Sequence, residues 1–216
     1  QLPNGWRPTA IFEDPGSQNY WISTDSGLAV FDVKKNKVYN RNYNPEQIPL
    51  LDNPSISRNI TAFYIDKGHR AWVVAWPNMK LGEAFYCFDL STGQLLPDTE
   101  GLSSATQRYH ELYSFFEQSN NKLWGYGRML LLERDPVKRR FNYIRDQHLD
   151  EFGIRYDVLT CMYEDREQNL WVGTDQGVYV FNPTSQHFNS VKLTEGNEEE
   201  ETEDKLVTGF LETQNK

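Results

Sequence analysis

A tryptophan returns along this chain at near-constant spacing: Trp21, Trp72, Trp124 and Trp171 stand 51, 52 and 47 residues apart. Self-similarity at a period of about 50 residues restricts a chain to folds built by repeating one supersecondary unit. The clearest copies are TAIFEDPGSQNYWISTDSGLAVFD (Thr9 to Asp32) and LTCMYEDREQNLWVGTDQGVYVFN (Leu159 to Asn182), which match almost position for position. Two weaker copies, ITAFYIDKGHRAWVVAW (Ile60 to Trp76, continuing through AFYCFDLSTG) and LYSFFEQSNNKLWGYGRMLLLERD (Leu112 to Asp135), keep the central tryptophan.

Within a unit the residues specify strands and turns in a fixed order. An alternating apolar segment such as Ala10 and Phe12 forms strand one, and Asp14-Pro15-Gly16 turns the chain. Strand two carries the tryptophan, whose large flat ring suits the gap between adjacent units. The β-branched Thr24 or Thr174 then suits the strand end. Gly27 and Gly177 are expected at positive φ in the next turn. Leu28-Ala29-Val30-Phe31 and Val178-Tyr179-Val180-Phe181 alternate as strand three, and an outer strand is expected around Lys37 to Arg41 and His187 to Lys192.

A four-stranded unit of this length is a β-propeller blade. The expected architecture is all-β: a partial β-propeller of four blades of four antiparallel strands, at about 6–45, 56–100, 108–146 and 155–194, plus the first strand of a fifth. An acidic stretch, 195–205, precedes that last segment, and LVTGFLETQNK (206–216) starts the next copy, whose tryptophan would fall just past Lys216. The expectation is a single incomplete propeller domain from a longer protein.

Composition agrees with strands: 12 Tyr, 12 Phe and 6 Trp stand against 3 Met, with no extended helical periodicity. A formal charge of -9 disfavours nucleic acid or an anionic membrane as a partner. Much of the charge is the run Glu195 to Asp204, which has the composition of a solvated, self-repelling loop. Cys87 and Cys161 occupy different repeat positions and do not indicate a disulfide. No apolar stretch approaches the roughly 18 residues of a bilayer span, and the start QLPNGWRPTA lacks the pattern of a signal peptide.

EDREQNLWVGTDQGVYVF and EDPGSQNYWISTDSGLAVF resemble the two-component regulator propeller repeat, whose signature is an acidic turn, an apolar-Trp-apolar-Gly-Thr strand and a following Gly-Leu. The other two units lack the Thr-x-x-Gly element after Trp72 and Trp124, so they join the pattern by spacing. The resemblance implies a periplasmic sensor region of a Bacteroidetes hybrid two-component regulator, recognising an oligosaccharide or other small ligand. It also implies a histidine kinase outside this chain, the remaining propeller blades of the parent as partners, and a homodimer.

Nothing in the sequence points to catalysis. His69, His110, His148 and His187 have neither metalloprotease nor zinc-site spacing, so neither metal nor cofactor is expected. Serine-nucleophile and phosphate-loop motifs are missing. Glu13-Asp14 and Glu164-Asp165 recur at one turn, which suits hairpin capping rather than a glycosidase pair. FDLSTG resembles a quinoprotein turn, but one copy implies no quinone.

Ligands of propellers commonly meet the face made by the loops between strands two and three and by the blade linkers. Here that face is expected to hold Trp76 to Lys80, Tyr126 to Arg128, and the linkers Asn40 to Arg58, Thr106 to His110 and Arg145 to Asp157. Trp76, Tyr126 and Arg128, from the two irregular blades, suit stacking on a sugar ring and bonding its hydroxyls, with Arg108 and His110 next. A scaffold for protein contacts at the cell surface is the alternative, and a propeller lyase or glycosidase ranks last. An open arc of blades leaves an apolar face uncovered, so the isolated chain is expected to self-associate or be marginally stable.

Overall fold

The computed structural model describes residues 1–76, 84–96, 102, 111–144, 154–182, 187–191 and 209. The chain divides into two compact units, Gln1–Ala105 and Thr106–Lys216. Each holds two antiparallel sheets wound as simple meanders, the layout of consecutive propeller blades.

In the first unit, β1 (Pro8–Glu13), β2 (Tyr20–Thr24), β3 (Gly27–Asp32) and β4 (Lys37–Asn40) form one sheet in chain order. The next sheet is β5 (Ile60–Ile65), β6 (Arg70–Ala75) and β7 (Ala84–Asp89). The outer strand expected beyond Leu96 lies outside the described residues, although Phe88 already makes a bridge with Leu95. Trp21, Leu28, Val30 and Tyr39 of the first sheet bury against Phe63, Ile65, Ala71, Val73 and Phe88 of the second. Trp21 stacks on Phe63 with ring centroids 5.2 Å apart and planes 28° apart. Thr9 adds a hydrogen bond between the sheets, its hydroxyl donating to the Ile60 carbonyl at 2.9 Å. The linker is not irregular throughout: short 3-10 turns at Pro49–Asp52 and Pro54–Ile56 bury Leu50, Leu51 and Ile56 in the same core.

The second unit repeats the plan. β8 (Glu111–Glu117), β9 (Leu123–Arg128), β10 (Leu130–Asp135) and β11 (Arg140–Tyr143) form one sheet, and β12 (Leu159–Glu164), β13 (Leu170–Thr174), β14 (Gly177–Asn182) and β15 (His187–Val191) the other. Trp124, Tyr126 and Leu131 bury against Leu159, Met162, Leu170, Val172 and Phe181. Trp124 meets Phe181 edge-on, centroids 5.8 Å apart. Removing a Trp ring of roughly 200 Å² from water is worth about 5 kcal/mol, more than any single hydrogen bond here.

The repeat extends to details. All four sheets have a register shift at the same place between strands one and two, leaving Thr9, Thr61, Tyr113 and Thr160 as the extra residue. Three of the four tryptophans donate the indole N–H to the residue six places earlier: Trp72 to Asp66 (2.9 Å), Trp124 to Gln118 (2.8 Å) and Trp171 to Asp165 (2.8 Å). In the first blade that turn is one residue longer, and the Asp14 carboxylate instead takes the Gly16 N–H and the Ser17 hydroxyl. Gly27 and Gly177 sit at φ +133° and +127°, as the turn requires. The expected fifth-blade strand, the acidic run 195–204, Arg108 and His110 lie outside the described residues.

Candidate functional site

The turn joining strands two and three of a blade is closed by threonine. In the first unit Thr24 Oγ1 donates to the Gly27 carbonyl (2.7 Å) and accepts from the Ser26 N–H (3.1 Å). Thr174 makes the same pair with Gly177 (2.9 Å) and Gln176 (3.0 Å) in the second unit. The following aspartate ties the turn to the segment that leads into strand one. Asp25 Oδ1 accepts the Arg7 N–H, and its own N–H donates to the Arg7 carbonyl, both at 3.0 Å. Asp175 Oδ1 accepts from the Asp157 and Val158 amides at 3.1 Å. The Arg7 amide, with Ser26 beside it, holds the Asp25 carboxyl below the usual carboxylate value.

In the first unit this brace sets out a polar and aromatic surface. The Arg41 guanidinium lies over the Trp6 ring, 5.3 Å from its centroid, and donates to the Ser57 carbonyl at 3.2 Å. Just past β6, Trp76 donates its backbone N–H to the Asn59 carbonyl (2.8 Å) while its side chain is 47 % exposed. Asn59 Oδ1 is buried and accepts no hydrogen bond from the described residues. Trp6 with Arg41, and Trp76, thus both border the short linker segment Ser57–Asn59.

In the second unit the expected loop Tyr126 to Arg128 is strand. β9 runs through Arg128 and turns over Met129 alone, at φ 50°. The glycines suit this pairing: Gly127 lets β9 lie close against the β8 backbone at its register shift, and Gly125 leaves room for the Leu112 side chain. Tyr126 is therefore buried in the core between the two sheets, where burial raises its phenol above the ordinary value. Arg128 is exposed at the strand end and bridges Val158. Met129 donates to the Asp157 carbonyl at 2.7 Å and accepts from the Tyr143 hydroxyl at 2.8 Å. Of the residues singled out in the sequence, the structure leaves Trp76 and Arg128 on the surface, each in its own unit. It adds Trp6 and Asn59, which sequence reasoning missed, and singles out Arg41 from the linker Asn40 to Arg58 that the sequence had placed on the ligand face.

The acidic turns are occupied by structure. Asp14 and Asp165 close their own hairpins, and Asp66 pairs with Arg70 at 2.7 Å. Glu164 instead reaches Ser119 in the neighbouring blade. Among the described residues no three His, Cys, Asp or Glu gather as metal ligands, and no helix is long and apolar enough to cross a membrane.

Residues 153–176 match the two component regulator propeller family. No curated protein matches the sequence. Among solved structures, the fold is similar to the extracellular domain assigned to the hybrid two component system BT3049 of B. thetaiotaomicron. The TM-score is 0.58 at 18% identity, covering 88% of this chain and 25% of that one. It is similar also to the extracellular domain assigned to the one component system BT4673 of the same organism, with a TM-score of 0.55 at 18% identity over 88% of this chain and 24% of that one. PorZ, a surface component of the type-IX secretion system of Porphyromonas gingivalis, gives 0.59 at 15% identity over 85% of this chain and 26% of that one. The chain thus spans about a quarter of each of these proteins.

Proposed function

We propose, for a chain that carries a two component regulator propeller repeat, that it is part of the periplasmic sensing propeller of such a regulator and helps to bind a neutral oligosaccharide. The observation that carries this reading is the exposed Trp76, whose backbone bonds Asn59, together with the Trp6–Arg41 pair, whose guanidinium bonds Ser57 two residues earlier. Sugars present apolar ring faces and hydroxyl rims, and these groups match both. The net negative charge of the chain favours a neutral ligand over an anionic one. The chain assigns no residue a covalent role; on this reading the signal passes to a kinase outside it.

The test is a glycan array followed by calorimetry on the chain and on the whole extracellular region. An oligosaccharide that binds the whole region, and binds at least tenfold more weakly to its Trp76→Ala and Arg41→Ala variants, supports the reading. Binding unaffected by either variant places the site elsewhere. No binding to any glycan favours a scaffold for protein contacts.

A further inference from the structure

Asn4-Gly5 is the one Asn-Gly pair in the sequence. It forms the corner of a tight turn, closed by the Trp6 N–H donating to the Pro3 carbonyl at 3.1 Å. Gly5 takes φ +86°, in the left-handed region that glycine enters without steric cost. Both residues are exposed, and beyond the chain neighbours no heavy atom lies within 4 Å of the place a Gly5 Cβ would take.

The turn leaves two groups unspent. Among the described residues, neither the Gly5 N–H nor the Asn4 side-chain amide makes a hydrogen bond. Other asparagines differ. Asn40, Asn44, Asn53 and Asn120 each accept a backbone N–H on the side-chain oxygen. Asn44 and Asn53 also precede proline, which has no N–H to react. At Asn4 an unbonded side-chain amide is followed by an unbonded main-chain nitrogen with no Cβ to obstruct it.

We propose that Asn4 is a site of spontaneous modification, where the chain converts asparagine into isoaspartate and aspartate. The Gly5 nitrogen gives up its proton and attacks Asn4 Cγ. A C–N bond forms, the side-chain nitrogen leaves as ammonia, and a five-membered succinimide remains. Water then opens that ring. Addition at the main-chain carbonyl routes the backbone through the side chain as isoaspartate, and addition at the Cγ carbonyl gives aspartate. One water is consumed and one ammonia released, so the conversion needs no oxidant and no enzyme. Opening the turn for ring closure breaks the Trp6–Pro3 hydrogen bond, a small local cost for exposed backbone. Either product places a carboxylate two residues from Trp6, whose ring carries the Arg41 guanidinium.

Ageing in warm, mildly alkaline buffer tests this on the chain and on the whole extracellular region, with the free peptide Gln1–Ala10 as the unstructured reference. Peptide mass mapping follows Asn4, and enzymatic methylation of isoaspartate reports the rearranged product. Both folded proteins should convert at Asn4 within a few-fold of the peptide's rate and ahead of their other asparagines. Asn4→Gln should lose the conversion at this position, and so exposed a replacement leaves the fold intact. Asn4 that stays intact in either protein while the peptide converts overturns the proposal. So does isoaspartate that accumulates equally in Asn4→Gln, which would put the reaction at another residue.

Discussion

Glu164 on β12 clamps Ser119 in the preceding blade: one carboxylate oxygen accepts the Ser119 N–H at 2.6 Å and the other accepts its hydroxyl at 2.9 Å. The second oxygen also lies 3.4 Å from the Gln118 side-chain nitrogen, and Gln118 accepts the Trp124 indole N–H. A charged acceptor therefore orients the residue that holds the buried ring. Glu164→Ala should lower stability by about 1 to 2 kcal/mol, read as a fall in the urea midpoint at unchanged slope. Glu164→Gln should recover part of that loss, since its amide oxygen can still accept one bond.

Trp124 combines two losses in one substitution. Trp124→Ala removes the contact with Phe181 and leaves the Gln118 carbonyl without its indole donor inside the core. The expected cost is about 4 kcal/mol, and Trp124→Phe should cost less because it keeps ring area while losing only the N–H. Trp171→Phe should cost less again, because Trp171 is half-buried where Trp124 is buried. Equilibrium unfolding of the three variants checks the order.

Among the described residues, four aspartates have carboxyls held below the usual carboxylate value and contribute to the acid limb of stability. The Arg7 amide holds Asp25 below the usual carboxylate value, the Thr92 amide does so for Asp89, and the Lys138 amide for Asp135. At Asp165 burial pulls upward but is outweighed by bonds from the Trp171 indole and from Asn169, so its net shift is also downward. A carboxylate depressed in the folded state stabilises above its unfolded value and loses that contribution as pH falls through the folded one. Stability from these groups should be level above about pH 5 and decline below about pH 4. Asp165→Asn should flatten the decline, measured as urea midpoints between neutral and acid pH.

Much of this fold is legible because a repeat shows its own period. The four in-phase tryptophans, the positive-φ glycines at 27 and 177 and the outer strands Lys37–Asn40 and His187–Val191 follow from laying the chain against itself. The acceptor for the indole is harder to see, because it is Asp66 or Asp165 in two blades, Gln118 in a third, and displaced by a longer turn in the first. The candidate surface had a signal that phase alone reveals. Of the 6 tryptophans, Trp6 and Trp76 are the two out of register with the repeat, and both border Ser57–Asn59. Asn59 carried none, since an amide in a linker acquires meaning only when its oxygen is seen buried.

Gly125-Tyr126-Gly127-Arg128 looks like a turn in the sequence and is strand in the fold, and the two glycines have unequal reasons to be there. A Cβ on Gly127 would land on the Glu111 carbonyl and 2.7 Å from the Tyr113 nitrogen, both backbone atoms at the register shift of β8. A Cβ on Gly125 would meet Leu112 Cδ1 at 3.0 Å, the end of a side chain that can rotate. Backbone cannot yield without breaking the β8–β9 ladder, whereas a leucine terminus can move by a few tenths of an ångström. Gly127→Ala should therefore cost about 3 kcal/mol or more and Gly125→Ala about 1 kcal/mol. Hydrogen exchange locates the damage: the amides of β8 and β9 should lose protection in Gly127→Ala while those of β13 and β14 keep it. Equal costs for the two substitutions would mean that the close approach of β8 is not what holds glycine at position 127.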